Sequence, residues 1–218
     1  MNSETSSLIL MGIGGTGSAT VRGANRAYGS TIRALLVDSD ASTGGASTLP
    51  FVLIGGDRLA GRGAGGHAAE ARAAYLDKPD VIDQHLEGVN TAVIVTALGG
   101  GTGGGATSEI VKHLASRGIA SIVFAALPFG FEGEERASAA RIALGTIENT
   151  ADAVVPMPLD ALVSDIDNMK DALARAADTF ATALTLFWRL LEKPGYIALD
   201  AERLRSAMAD SEIGRAHV

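Results

Sequence analysis

Apolar residues fall along this chain in short unbroken blocks, set between polar turns and longer stretches of mixed character. Leu8–Ile13, residues 32–37, residues 51–54, Thr91–Ala97 (TAVIVTA), residues 119–127 and residues 153–155 are blocks of this kind. Continuous apolar runs without polar alternation predict strands buried on both faces. Between them, residues 18–27, 68–75, 106–116 and 134–149 read as helices, and residues 55–66 as a loop rich in glycine and arginine. Strands and helices in alternation predict an α/β fold, a mostly parallel sheet covered by helices on both faces. Ligands of such sheets bind beyond the carboxyl ends of the strands.

A longer pattern follows. Over Met169–Glu192, the residues Leu173, Ala176, Phe180, Leu184, Phe187 and Leu191 recur at spacings of three and four, which predicts one long helix with a single apolar stripe. Pro194 and Gly195 end it, and residues 200–209 are again helical in pattern. Without repeats or low-complexity segments, one domain is the expected count.

Composition narrows the picture. The chain has 218 residues, 47% hydrophobic and 20% charged, enough to fill a core. Only 5% are aromatic, so small side chains at close backbone approach are expected to build that core. No apolar run reaches the length of a membrane span, and the N-terminus lacks the basic region of a signal peptide. The absence of cysteine excludes disulfides and thiolate metal sites, and a cytoplasmic location is expected. A net charge of −7 argues against a broad nucleic-acid-binding face, so no nucleic-acid partner is expected.

Two glycine loops carry the candidate chemistry. The first, GIGGTG at residues 12–17, follows the first strand and matches G-x-G-x-x-G through Gly12, Gly14 and Gly17, with Asp38 closing the second strand. That pattern fits a dinucleotide site of the Rossmann type, and equally a tight packing turn. The second loop, GGGTGGG at residues 99–105, has six glycines in seven residues and lies between a strand and a helix. Bare backbone N–H groups in such number suit an anion, and the following helix adds its N-terminal amides and dipole. No Lys follows, so this is not a Walker A loop. Two anion loops on one sheet edge point to a mononucleoside triphosphate held from two sides.

The second loop resembles the signature loop of the tubulin/FtsZ family, usually GGGTGTG, with Gly104 in place of its second Thr. The resemblance continues in order along the chain. MGIGGTGSA, which includes Gly12, Gly14, Gly15 and Thr16, resembles the first phosphate loop. LLVDSDAST resembles the second, which implies Asp38 and Asp40 near the phosphates and cation. GRGAGGHAAEAR, carrying Gly65 and Gly66, resembles the family's GLGAGGNPEVGR segment. PFGFEGEER resembles the ribose loop, which implies Glu132 on the ribose hydroxyls and Arg136 near base and sugar. The long helix resembles the family's central helix, with Asp178 where the guanine edge is read. The resemblance implies a Rossmann-like GTPase domain over residues 1–168, a central helix over 169–193, and over 194–218 a catalytic-type loop and the start of a truncated or absent C-terminal domain.

It also implies GTP or GDP as ligand, with Mg²⁺ between the phosphates and bound through them rather than through a side chain. Gly99, Gly100, Gly101, Thr102, Gly103, Gly104 and Gly105 would wrap the phosphates. Subunits would assemble head to tail into filaments serving cell division or membrane remodelling, reaching the membrane through an adaptor, and the loop after the central helix would complete hydrolysis in trans. That loop, GYIALDAER, keeps Asp200 in the first acidic position of the family's GxxNxDxxD. Ala198 replaces the Asn, Arg203 stands in the second acidic position, and Glu202 comes one residue early. Asp200 also suits an N-cap of the next helix. Leu173 stands where an aromatic stacks on the base, Ala177 where an Asn precedes the guanine-reading Asp, and Leu159 at another Asn position. Two alternatives stay open: a GTP-dependent interaction module with little turnover, and a dinucleotide-binding Rossmann enzyme. The chain ends about where the second domain of the family begins, so either a fragment or a short variant is expected.

Overall fold

Six strands, β1 (Leu8–Ile13), β2 (Ala34–Asp38), β3 (Phe51–Leu53), β4 (Thr91–Ala97), β5 (Ala120–Leu127) and β6 (Ala153–Pro158), form one sheet in the order β3-β2-β1-β4-β5-β6. The computed structural model describes residues 8–28, 32–45, 47–162 and 169–192, and every strand pair among them is parallel. The helices are α1 (Gly14–Tyr28), α2 (Gly56–Leu59), α3 (Ala68–Leu76), α4 (Gly101–Ser116), α5 (Glu134–Glu148) and α6 (Met169–Glu192). This order reverses direction between β1 and β4, and the crevice at such a switch point is where open parallel sheets bind ligands. The register sets Ile13 beside both Val37 and Thr96, so β1, β2 and β4 end together and their following loops share one edge.

Successive residues of each strand enter opposite cores. Ile9, Met11 and Ile13 pack with Leu35, Ile94, Ile110 and Leu114 on one face, under α3, α4 and α5. Leu10 packs with Leu36, Val93, Val95 and Phe124 on the other, under α1 and α6. Burial on both faces explains why the strands read as unbroken apolar runs. On α6 the fully buried positions are Phe180, Leu184 and Trp188, with Phe187 edge-on to Phe124 at 5.0 Å. The predicted stripe thus keeps Phe180 and Leu184 but turns its centre onto Trp188; the side chains of Leu173, Ala176 and Leu191 lie outside the described residues.

Three features differ from the sequence reading. First, α1 and α4 begin at Gly14 and Gly101, inside the glycine loops, rather than at residues 18 and 106. Glycine disfavours a helix by about 1 kcal/mol per residue, and here packing outweighs it. Second, β6 runs on through Pro156 and Pro158, because it is an edge strand and has one side without a ladder to break. Third, the predicted loop at 55–66 contains α2, and 3₁₀ turns occur at Ala41–Thr43, Pro79–His85, Gly130–Glu132 and Leu159–Leu162. These elements are too short for hydrophobic periodicity to register.

Helix α4 is buried along most of its length and carries one nearly buried carboxylate. Glu109 accepts from Arg72 Nε at 2.8 Å and from Lys112 Nζ at 2.9 Å. Burial pushes this carboxyl up, but the hydrogen bonds from Arg72 and Lys112 and their charges outweigh burial and hold it below its ordinary value. A carboxylate depressed in the folded state contributes stability above its unfolded value and loses it as pH falls through the folded one. Thermal midpoints of the wild type are therefore expected to drop as pH falls below the ordinary carboxylate range. Glu109→Gln should flatten that part of the profile, and an unchanged slope would place the acid sensitivity elsewhere.

Candidate functional site

At the switch point, the N-termini of α1 and α4 meet. A Cβ on Gly14, which has φ +75°, would stand 3.2 Å from the Gly103 nitrogen, so the two helix starts are in contact. The first amides of each helix have no intrahelical acceptor and aim, with the helix dipoles, into the same space. In α4 these are the amides of Gly101, Thr102 and Gly103; the next, Gly104 N–H, already bonds Gly100 O at 3.2 Å. A cleft of about 250 Å³ opens there, lined by α1 and α4 residues, by Asp38, Ser39, Asp40 and Thr43 at the end of β2, by Gly63, Ala64 and Gly66, and by Arg136 of α5.

Most of the glycines in 99–105 are required by packing against protein. A Cβ on Gly103 would lie 2.2 Å from Ala97 O, and one on Gly105 1.9 Å from Ala68 O. Gly99 and Gly101 are similarly closed, by Arg136 and by Ala64, whereas Gly100 and Gly104 meet nothing nearer than 3.7 Å. Packing within the protein therefore accounts for most of this glycine content. Four of the six glycines let α4 sit against β4, α3, α5 and the 61–66 loop, and that close seating brings its amides to the cleft. The first loop repeats the device: a Cβ on Gly17 would lie 2.3 Å from Val95 O.

The wall after β2 is a polar network around Asp38, which is 3% exposed. Its Oδ1 accepts from Ser39 N–H at 2.7 Å and from Thr102 Oγ1 at 2.8 Å, and its Oδ2 accepts from Thr43 Oγ1 at 2.7 Å. Ser39 Oγ lies 2.7 Å from Thr102 Oγ1. Asp40 caps the turn at Ala41–Thr43, accepting from Ser42 N–H at 2.8 Å, and hydrogen bonds from the Ser42 side chain and backbone hold its carboxyl below the ordinary range. Backbone bonds Ala41 N–H to Gly61 O and Gly63 N–H to Ser39 O tie the 61–66 loop to this wall.

The structure brings together Gly14, Gly15, Thr16, Asp38, Asp40, Gly66, Gly100, Gly101, Thr102, Gly103 and Arg136 as lining of the cleft. Gly12 lies beneath α1 against Gly17 and Ser18, and Gly65 sits beside His67, outside the lining. Gly99 underlies Arg136. Glu132 steadies that Arg from 3.1 Å and accepts from Phe129 N–H. Gly104 and Gly105 face away, into a second cavity of about 430 Å³ between α3, α4 and α5, where no helix starts converge. Asp178 is exposed on α6, a turn before Ala181, which packs at Gly23 of α1, and it is not among the described residues that line the cleft. Asp200 and Glu202 lie outside the described residues. Ser39, Thr43, Gly63 and Ala64 were not singled out; the signal for the first two was their place just past the end of β2, where ligands of parallel sheets bind.

No group of three or more His, Cys, Asp or Glu able to hold a metal occurs among the described residues. His113 meets Asp83 at 2.7 Å, because the turn Pro79–His85 folds back onto α4. No helix among the described residues is long and apolar enough to cross a membrane.

Fold and site together define an α/β domain with a cleft between two helix starts at the switch point of its sheet. The sequence model of the Tubulin/FtsZ family, GTPase domain, matches residues 7–167, and the chain belongs to that family. It is 30% identical over 207 residues to the cell division protein FtsZ of Methanothermobacter thermautotrophicus, covering 94% of this chain and 54% of that protein. To cell division protein FtsZ 1 of Halobacterium salinarum it is 28% identical over 211 residues, covering 92% and 52%. Among solved structures, the empty FtsZ dimer of M. jannaschii superposes with a TM-score of 0.84 at 25% identity, over 92% of this chain and 60% of that one. The GTPγS-bound protofilament of CetZ2 from Haloferax volcanii gives 0.75 at 26% identity, over 83% and 57%. The chain spans about half the length of the curated relatives it matches.

Proposed function

We propose that this chain binds GTP at the switch-point cleft and forms the nucleotide-binding part of a self-assembling GTPase. The observation that carries the reading is the convergence of the α1 and α4 N-termini on one cleft, in a chain that matches the family's GTPase domain. The phosphates lie on the free amides of both helices, and Arg136 adds a positive charge at the rim. Asp40 and Thr43, in the oxygen-rich wall after β2, would hold Mg²⁺, which when bound would neutralise phosphate charge. The base and ribose extend toward Asp178 and the Glu132 loop.

Hydrolysis is completed in trans: the loop at Asp200 and Glu202 of one copy reaches the γ-phosphate held by the next, so turnover requires head-to-tail contact. Such contacts are heterologous and produce filaments rather than closed rings. A role in cell division or membrane remodelling, with an adaptor between filament and membrane, belongs to the same reading. Arg203, a cation in an acidic position of that loop, favours as second reading a GTP-dependent module with slow turnover. The dinucleotide reading weakens, because Asp38, its ribose acid, is committed to protein donors.

A thermal-shift screen with GTP, GDP, ATP, NAD and NADP tests the ligand. GTP and GDP are expected to raise the midpoint, by about 2.7 kcal/mol of added stability at a hundred times the Kd. Stabilisation by NAD alone would sink the proposal. Phosphate release that climbs more steeply than linearly with protein concentration separates the assembling GTPase from the slow module.

A further inference from the structure

We infer that Asp38 acts as a positioning residue: it draws the hydroxyl protons of the wall after β2 inward, so that this wall offers the cleft oxygen lone pairs and accepts phosphates only through a divalent cation. The inference rests on the nucleotide reading above and deepens it.

The proton count on this wall is fixed by chemistry. A carboxylate only accepts, and a hydroxyl has one proton to give. Thr102 Oγ1 gives its proton to Asp38 Oδ1 at 2.8 Å, and Thr43 Oγ1 gives its own to Oδ2 at 2.7 Å. Ser39 Oγ lies 2.7 Å from Thr102 Oγ1, whose proton is already placed, so Ser39 must be the donor in that contact. All three hydroxyl protons are thus held within the wall, two on Asp38 and one on Thr102. Ser39 N–H fills a further position on Oδ1 at 2.7 Å, which locks the carboxylate in place. Ser39 is fully buried, so the oxygens this wall leaves for the ligand are the remaining lone pairs of Thr43 and the carboxylate of Asp40.

The opposite side of the same cleft is built in the opposite sense. The starts of α1 and α4 present amide protons, and Arg136 presents its guanidinium. One side therefore binds phosphate oxygens directly. On the other, lone pair would face lone pair, and an oxygen-seeking cation is needed between them. Two hydroxyl-bearing loops at a phosphate site more simply donate to the phosphates; the buried carboxylate of Asp38 reverses that polarity here.

The test uses the whole chain and methylanthraniloyl-GTP, with affinity read by fluorescence anisotropy in Mg²⁺ and in EDTA. The wild type is expected to lose about 10-fold or more in affinity when Mg²⁺ is removed. Asp38→Asn keeps the shape but brings a donor, so one hydroxyl must accept and its proton turns toward the phosphates. In this variant the ratio between Mg²⁺ and EDTA should shrink to about 3-fold or less, mainly through better binding in EDTA. Thr43→Val removes an outward oxygen without adding a proton; it should weaken binding in Mg²⁺ and leave the EDTA affinity in place. This second variant keeps the inference testable if Asp38→Asn fails to fold. A Mg²⁺ ratio unchanged in either folded variant overturns the inference while the nucleotide reading stands. A wild type that binds no labelled GTP overturns the nucleotide reading itself, and the inference with it.

Discussion

Gly105→Ala is expected to destabilise the fold by about 3 kcal/mol or more, while Gly104→Ala, one residue earlier, changes it by less than about 1 kcal/mol. The added methyl at 105 would sit 1.9 Å from the carbonyl oxygen of Ala68 and 2.7 Å from its carbon. Those are backbone atoms of α3 and cannot rotate aside as a side chain can. Relief requires α3 and α4 to separate, which opens the core around Tyr75, Ala106 and Ile110. At 104 the nearest atoms are Gly99 N at 3.7 Å and Ala68 Cβ at 3.8 Å, ordinary contact distances. Alanine there also gains in helix propensity, which offsets any small strain. Urea titrations can be followed through Trp188, the single tryptophan, buried on α6. Equal midpoints for the two variants would show that these glycines are not packing positions.

The second large effect concerns turnover. Asp200→Ala is expected to lower GTP hydrolysis by about 100-fold and to leave GTP affinity unchanged, since the residue acts on the nucleotide of a neighbouring copy. Gly100→Asp makes the complementary defect. Gly100 lines the cleft, so a carboxylate there repels the phosphates. The position is also the N-cap of α4, where Asp is favoured, so the fold is kept. Neither variant should hydrolyse GTP by itself. Mixed in equal amounts, they should recover activity, because copies with an intact cleft meet copies with an intact Asp200. Absence of recovery, with wild-type turnover strictly linear in concentration, would remove the trans arrangement.

The sequence carries the architecture because burial on both faces leaves no choice of period. Thr91–Ala97 can be nothing but a central strand, and a long helix at α6 follows from its stripe. Helix starts were less legible. Local propensity sets 99–105 as a loop, yet α4 begins at Gly101, since contacts with Ala68 and Ala97, far apart along the chain, decide the matter. Of the two glycine loops, Gly14, Gly15, Gly100, Gly101 and Gly103 line one cleft. Their spacing did not show which glycines face a ligand and which face another helix. Nor did it show the direction of protons around Asp38, which depends on Thr102 arriving from a different loop. Partners of that sort are brought by tertiary structure and have no signature along the chain.

The two borders of the sheet bear on how copies of this chain can meet. β3 has three residues, and β6 carries Pro156 and Pro158 on its outer rim. One border is too short to template a neighbour, and the other lacks two of its amide protons. Lateral growth by strand addition, the route to amyloid-like aggregates, is disfavoured at both sides. For a chain proposed to polymerise at high local concentration, ordered stacking and disordered clumping are thus assigned to different surfaces, and conditions that promote the first do not promote the second.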